Sequence, residues 1–212
     1  MARVSFAAAS AELAKRDRVM RALYKQHGPC RIVKTKDSHF HALAESIVYQ
    51  QLAGKAAAAI FGRFRALFDG DLTAEGVLAA KEKDMRGAGL SPNKMAAIKD
   101  LAAHVADGRL PLDDVARLKD EALISKLVEV RGIGRWTAEM FLMFQLRRTD
   151  VWPVDDYGVR KGYANAYGLK ELPKPKELFA LGERFRPYRT TAAWYCWRAV
   201  ETITPGGRSE KS

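Results

Sequence analysis

Two short stretches carry residues that could do chemistry. VRGIGRWTAEM, residues 130–140, places Gly132 and Gly134 between two apolar helical patterns and flanks them with Arg131 and Arg135. Glycines at both places permit positive φ and remove Cβ atoms, so another backbone can approach closely. Exposed N–H groups at such a turn, and at the helix start that follows, suit a phosphate. The plain alternative is an ordinary helix–helix turn, for which one glycine suffices; the second glycine and the two arginines favour the anion. Ile133 should turn inward and pin the hairpin to its own helices. The second stretch, VWPVDDYGVR at 151–160, sets Asp155 and Asp156 between apolar residues and Tyr157. One aspartate can cap a helix after Pro153, which leaves the other in need of a role. A carboxylate repels phosphate but stabilises a positive charge that develops nearby, such as an oxocarbenium-like sugar when an N-glycosidic bond breaks. At about 4 Å and an effective dielectric of about 20 that is on the order of 4 kcal/mol. It could also orient or deprotonate an attacking water.

The elements that must hold these residues read as helices. Phe40, Leu43, Ile47, Val48 and Gln51 recur at spacings of three and four, and after Gly54 a second stripe runs through Ala57, Ile60, Phe61, Phe64 and Phe68. Thr73 is a predicted N-cap, and Ser91 before Pro92 another, with proline at the first helical position. Met95, Ile98, Leu101 and Val105 continue that helix, GRLPLDD interrupts it, and Leu123, Leu127 and Val130 begin one that stops at Gly132. No stretch shows sustained strand alternation, which predicts an all-α fold. No internal repeat of useful period is present, and the final TPGGRSEKS is polar, glycine-rich and expected to fray.

Composition narrows the partners. The chain has 212 residues and a formal net charge of +11, which fits either an ordinary basic protein or one with a polyanion partner such as nucleic acid, with Lys and Arg displacing phosphate counterions. No apolar run approaches the roughly 18 residues of a membrane span, so no membrane association is expected. The N-terminal segment is too charged for a signal peptide; its first eleven residues lack acids, which keeps a mitochondrial presequence as an alternative. Two cysteines, Cys30 and Cys196, cannot make a four-cysteine zinc or iron–sulfur site, and their scarcity fits a reducing interior.

Taken together, SIVYQQLAGKAA, LVEVRGIGRWTAEMFLM, VWPVDDYGVRKG and RPYRTTAAWYCWR resemble the helix-hairpin-helix (HhH-GPD) DNA glycosylase superfamily, in its alkylpurine branch of DNA-3-methyladenine glycosylase II type. The similarity runs in order from about residue 38 to 203. A lone GIG is a weak signal; the hairpin followed by VDDYGV is a specific one. The resemblance implies that Asp156 is the catalytic aspartate and that Asp155 caps the helix or supports it. Lyase-competent members carry a lysine just before TA in the hairpin's second helix, where this chain has Trp136, so no Schiff base forms there and water is the nucleophile.

By the same resemblance Trp136, Met140, Tyr157 and Trp197 line a base pocket, with Trp197 as stacking platform for a cationic methylated purine. Read without it, Trp136 is a core aromatic at helical spacing. Met140 stands where the branch often has an aromatic, and Arg198 where another can occur; both departures bear on how broad a set of bases the pocket takes. Leu52 matches the wedge inserted where a flipped nucleotide leaves the stack, with a core leucine as the alternative reading, and Gln51 matches a contact to the opposite strand. The backbone carbonyls of Val128, Val130 and Ile133 match a monovalent-cation site, Na+ or K+, at the hairpin. GLSPNKMAAI matches a family loop, read as structural only.

The expected molecule is thus a two-lobe all-α DNA glycosylase fold with a helix-hairpin-helix motif. One lobe covers 40–148, with wedge and hairpin; the other combines 1–39 with 149–212, and Asp156 lies at the cleft. No β-rich N-terminal domain is expected, because the chain starts close to the helical core. The expected activity is monofunctional hydrolysis of alkylated purines, of the 3-methyladenine and 7-methylguanine type, in base excision repair. Its partner is double-stranded DNA, it needs no cofactor and no iron–sulfur cluster, and it acts as a monomer. It would sit in the bacterial cytoplasm (nucleoid) or a eukaryotic nucleus. The alternatives are a bifunctional glycosylase with AP-lyase activity and a non-catalytic hairpin module that binds duplex DNA.

Overall fold

Apolar stripes at helical spacing need partner helices to bury them, and short loops between them force neighbours to pack. The computed structural model describes residues 4–33 and 35–201, so the TPGGRSEKS tail lies outside the described residues. No strand occurs among the described residues. The chain begins with α1 (Phe6–Arg16), α2 (Arg18–His27), α3 (His39–Tyr49) and α4 (Gly54–Arg65). It continues through α5 (Ala74–Ala79), α6 (Glu82–Gly87), α7 (Pro92–Ala106), α8 (Asp120–Val128) and α9 (Arg135–Met140). A π-helical segment, Phe141–Gln145, extends α9, and α10 (Tyr157–Tyr167), α11 (Pro175–Gly182) and α12 (Arg189–Glu201) follow. None of the described helices is long and apolar enough to cross a membrane.

The described residues fall into two compact units, 4–33 with 147–201 and Thr35–Leu146. The junctions lie a few residues earlier than 40 and 148. The reason is local: the Thr35 hydroxyl donates to Gln145 Oε1, and Gln145 Nε2 donates to the Asp37 carbonyl at 2.9 Å, tying the strand of chain that enters the unit to its exit.

In the Thr35–Leu146 unit the predicted caps form. Thr73 Oγ1 accepts from Gly76 N at 3.1 Å, and Ser91 Oγ accepts from Lys94 N. Phe40, Leu43, Ile47, Val48, Phe61, Phe64, Ile98 and Leu101 are buried together with Leu123 and Leu127. Gln51 departs from its predicted place on the first stripe: α3 ends at Tyr49, and Gln51 takes φ +57° in the turn beyond it.

In the other unit Asp17 ends α1 and caps α2, its Oδ1 accepting from Val19 N and Met20 N at 2.8 and 3.0 Å. α10 and α12 cross so closely that a Cβ on Gly162 would lie 1.8 Å from the Cys196 carbonyl oxygen. A Gly→Ala change inside a helix ordinarily stabilises by roughly 0.5–1 kcal/mol. Here the obstruction is backbone, which cannot step aside, so Gly162→Ala should instead cost about 1–3 kcal/mol as overpacking does. Urea denaturation checks the sign, and an unchanged or raised midpoint would mean that the two helices can separate without loss.

Candidate active site and nucleic-acid interface

An aspartate at a helix start satisfies one of the orphan N–H groups of the first turn. In α10 that aspartate is Asp156: its Oδ1 accepts from Val159 N at 2.7 Å. Of the two roles expected for Asp155, cap or support, the capping role is therefore corrected. The turn closed by Asp156 N and the Pro153 carbonyl, 3.1 Å apart, brings the second carboxyl over the helix end and leaves Asp155 exposed. Asp156 is 9% exposed. The same Oδ1 accepts a second bond, from Trp197 Nε1 at 2.9 Å. Gly158 makes room for this, since a Cβ there would come 2.8 Å from Trp197 Cδ1.

The segment leading to Asp156 is anchored on the start of α12. Arg189 donates to Asp150 through Nε, 2.7 Å from Oδ1, and through Nη2, 2.8 Å from the carbonyl. Thr190 Oγ1 donates to the Arg148 carbonyl at 2.7 Å and accepts from Val151 N at 3.0 Å. Trp152 Nε1 donates to the Leu178 carbonyl at 2.8 Å. The carboxylate is thus held by a rigid backbone as well as by its own two donors. Tyr157 begins α10 beside it and is 65% exposed.

Both cysteines are free and buried. Burial pushes the Cys30 thiol up to about 11 and the Cys196 thiol higher still. Burial thus disfavours the thiolate, the reactive form, at both.

In the other unit the hairpin turns at Gly132, whose φ of +79° requires glycine, whereas Gly134 takes φ −87° and does not. Only one of the two glycines is therefore needed for its conformation. Gly134 instead precedes α9 with no side chain, and a Cβ there would meet open space. Ile133 is 3% exposed, within the core. Two hairpin N–H groups are used internally: Arg131 N donates to Asp100 Oδ2 at 2.7 Å, and Ile133 N to the Val130 carbonyl at 3.1 Å. Arg135 is also engaged, its guanidinium forked onto Glu121 at 2.6 and 3.0 Å and bonded to Glu139 at 3.1 Å. Its charge is compensated within the unit, while Arg131 donates to an amide oxygen, that of Asn93, at 3.4 Å.

Trp136 is 47% exposed and Leu52 is 39% exposed, so neither is the core residue that helical spacing alone allowed. Gln51 and Leu52 form an exposed turn after α3, and the neighbouring Gln50 ties that turn to the hairpin, Nε2 donating to the Gly132 carbonyl at 2.8 Å. Met140 lines an apolar cavity of about 360 Å³ with Tyr49, Phe141, Phe144, Ser46 and Glu45. Burial raises the Glu45 pKa, with His41 opposing and Asp37 reinforcing the shift. Sequence reasoning missed the α3 side of this cavity, because Ser46, Glu45 and Tyr49 lie on the face of α3 away from the apolar stripe. Among the described residues no cluster of His, Cys, Asp or Glu could hold a metal.

Comparison with known proteins gives the family and the fold. A DNA-3-methyladenine glycosylase of Schizosaccharomyces pombe is 36% identical over 179 residues, spanning 83% of this chain and 78% of that protein. The structure of a DNA-3-methyladenine glycosidase from Bacillus halodurans superposes with a TM-score of 0.82 at 37% identity, covering 90% of this chain and 87% of the other. That of the Schizosaccharomyces pombe 3-methyladenine DNA glycosylase Mag1 in complex with abasic DNA gives 0.78 at 34% identity, over 90% and 95% of the two chains. Residues 44–187, which include the turn after α3, the hairpin and Asp156, match the HhH-GPD superfamily, and the chain belongs to that superfamily of base excision DNA repair proteins.

Proposed function

We propose that this protein is a monofunctional DNA glycosylase that hydrolyses the N-glycosidic bond of alkylated purines, of the 3-methyladenine and 7-methylguanine type, in double-stranded DNA. The observation that carries the reading is the Asp156 carboxyl, with one oxygen held by Val159 N and Trp197 Nε1. The two donors on Oδ1 orient the group toward its task at the sugar or the attacking water. An alkylated purine carries positive charge and leaves readily, so the enzyme must mainly stabilise the developing oxocarbenium ion and admit water. A carboxylate in a largely buried setting does the first by electrostatics that bulk water would weaken.

Trp197 then has two tasks. Its N–H holds the carboxylate, and its ring face attracts the cationic base. Met140, Tyr157 and Trp136 complete base recognition in this reading. Trp136 occupies the place where a lyase would need an amine, which supports hydrolysis without strand cleavage. The exposed Leu52 is the wedge, and Gln51 faces the strand opposite the lesion. At the hairpin, Arg131, Gly132 and the backbone at Gly134 take the DNA phosphate, with Arg135 contributing through its effect on α9 rather than as a free charge. The carbonyl oxygens of Val128, Val130 and Ile133 are of the hard type that suits Na+ or K+; Val130 oxygen keeps a second lone pair beyond its bond from Ile133 N. The chain acts as a monomer and draws on no cofactor for the reaction.

Asp156→Asn retains a side-chain oxygen to cap α10 but removes the charge. Base release from methylated duplex should fall about 10²–10⁴-fold, with duplex binding preserved; release at the wild-type rate would overturn the assignment. Borohydride should trap no covalent protein–DNA adduct, and a trapped adduct would establish the lyase instead.

The two tasks of Trp197 separate by substitution. Trp197→Phe keeps a ring and loses the N–H, so excision of 3-methyladenine and of neutral hypoxanthine should fall by similar factors. Trp197→Ala should add a further loss for the cationic base alone. Single-turnover rates on the two substrates report this, and equal further losses would remove the cation–π contribution.

A further inference from the structure

A helix that ends before a working loop leaves its last carbonyls without intrahelical donors. α3 ends at Tyr49, and the residues after it include Gln51, a non-glycine held at φ +57°. Such a conformation persists only where its surroundings over-determine it. The group that does so is Lys94. Its ammonium donates to the Val48 carbonyl and, at 2.9 Å, to the Gln50 carbonyl, on either side of the end of α3.

Lys94 is in an unusual place for a lysine. It lies in the first turn of α7, where the helix dipole disfavours a cation. Its bonds run instead to the carbonyl end of α3, where the dipole favours one. Both acceptors are backbone oxygens forty-odd residues earlier in the chain, so the bonds define where a loop sits rather than neutralise a carboxylate. Partial burial lowers the Lys94 pKa, as expected of an ammonium committed to the interior side of a turn. Gln50 extends the arrangement, since its side chain donates to the Gly132 carbonyl of the hairpin. A small cavity of about 320 Å³ beside the turn is lined by Gln50, Gln51, Asn93, Lys94, Ala97 and Arg131.

We propose that Lys94 is the positioning residue of the wedge: by bonding the Val48 and Gln50 carbonyls it presets the turn that carries Gln51 and Leu52, so that the ordering cost of the wedge is met before DNA arrives. The proposal rests on the reading of Leu52 as the wedge. Lys94 touches no reacting atom. Its effect is on extrusion of the base, and therefore grows with how firmly the base is paired.

The test compares one lesion in two duplexes, opposite its normal partner and opposite an abasic site, with the full-length protein. Lys94→Met keeps the alkyl length and removes the donors. It should lower the single-turnover excision rate from the paired duplex about tenfold and from the unpaired one less than about threefold. Fluorescence of 2-aminopurine beside the lesion should show less base extrusion in the paired duplex. Lys94→Arg, which keeps charge and donors, should restore most of the rate. In a Leu52→Ala background Lys94→Met should add little, because both act through one event. Equal losses on the two duplexes, or full additivity with Leu52→Ala, would overturn the role of Lys94. If Leu52→Ala itself leaves the paired-to-unpaired ratio unchanged, the wedge reading fails and the proposal falls with it. Should Lys94→Met prove unstable on thermal melting, Lys94→Ala, which also removes the donors, carries the same comparison.

Discussion

One oxygen of Asp156 accepts hydrogen bonds from the start of its own helix and from an indole on another. Much of the unit of residues 4–33 and 147–201 is arranged so that this can happen. α10 and α12 must approach to backbone contact at Gly162, and Gly158 must leave space for the Trp197 ring. The approach to α10 must be stiff, which the fork of Arg189 on Asp150 and the hydroxyl of Thr190 provide. Helix capping is usually a stability device worth about 1 kcal/mol. In this protein the cap also aims the carboxyl that the proposed reaction uses, so folding and chemistry rest on the same two bonds.

The unit Thr35–Leu146 applies a related economy to the DNA contact proposed for it. The hairpin and the turn after α3 are separate in sequence, yet Gln50 bonds directly to the Gly132 carbonyl. The net charge of +11 favours a polyanion in general terms. Where that charge is useful is decided locally: Glu121 and Glu139 compensate Arg135, while Arg131 meets an amide. The π-helical segment after α9 places Phe141, Phe144 and Gln145 around the cavity beside Met140. Such irregular turns are over-represented at functional sites because they re-aim side chains within an otherwise regular helix.

What was legible in the chain was what local chemistry enforces. Apolar stripes named the helices, Ser91 and Thr73 named their starts, and the hairpin announced itself through its glycines and arginines. The double aspartate singled out the segment for which the reaction is proposed, and the combination of motifs marked the superfamily. The division of labour within that pair was not legible, since either carboxyl can reach a cap and only the turn at Pro153 selects Asp156. Exposure was equally hidden: Trp136 and Leu52 fit a core stripe as well as a binding surface, and periodicity cannot tell the two apart. GLSPNK looked like a connecting loop, although a lysine so early in a helix was a sign that its charge served another element.

By itself, then, the sequence determined an all-helical chain, its caps and turns, a basic character, and a hairpin with a downstream aspartate in superfamily order. Each of these follows from residues a few positions apart. Only the tertiary structure decided which atoms of those residues are engaged. The bond from Trp197 to Asp156 and the bonds from Lys94 to the end of α3 join residues some forty positions apart in sequence. No spacing rule encodes such a pair, because it exists only once two helices have packed and fixed the distance between them.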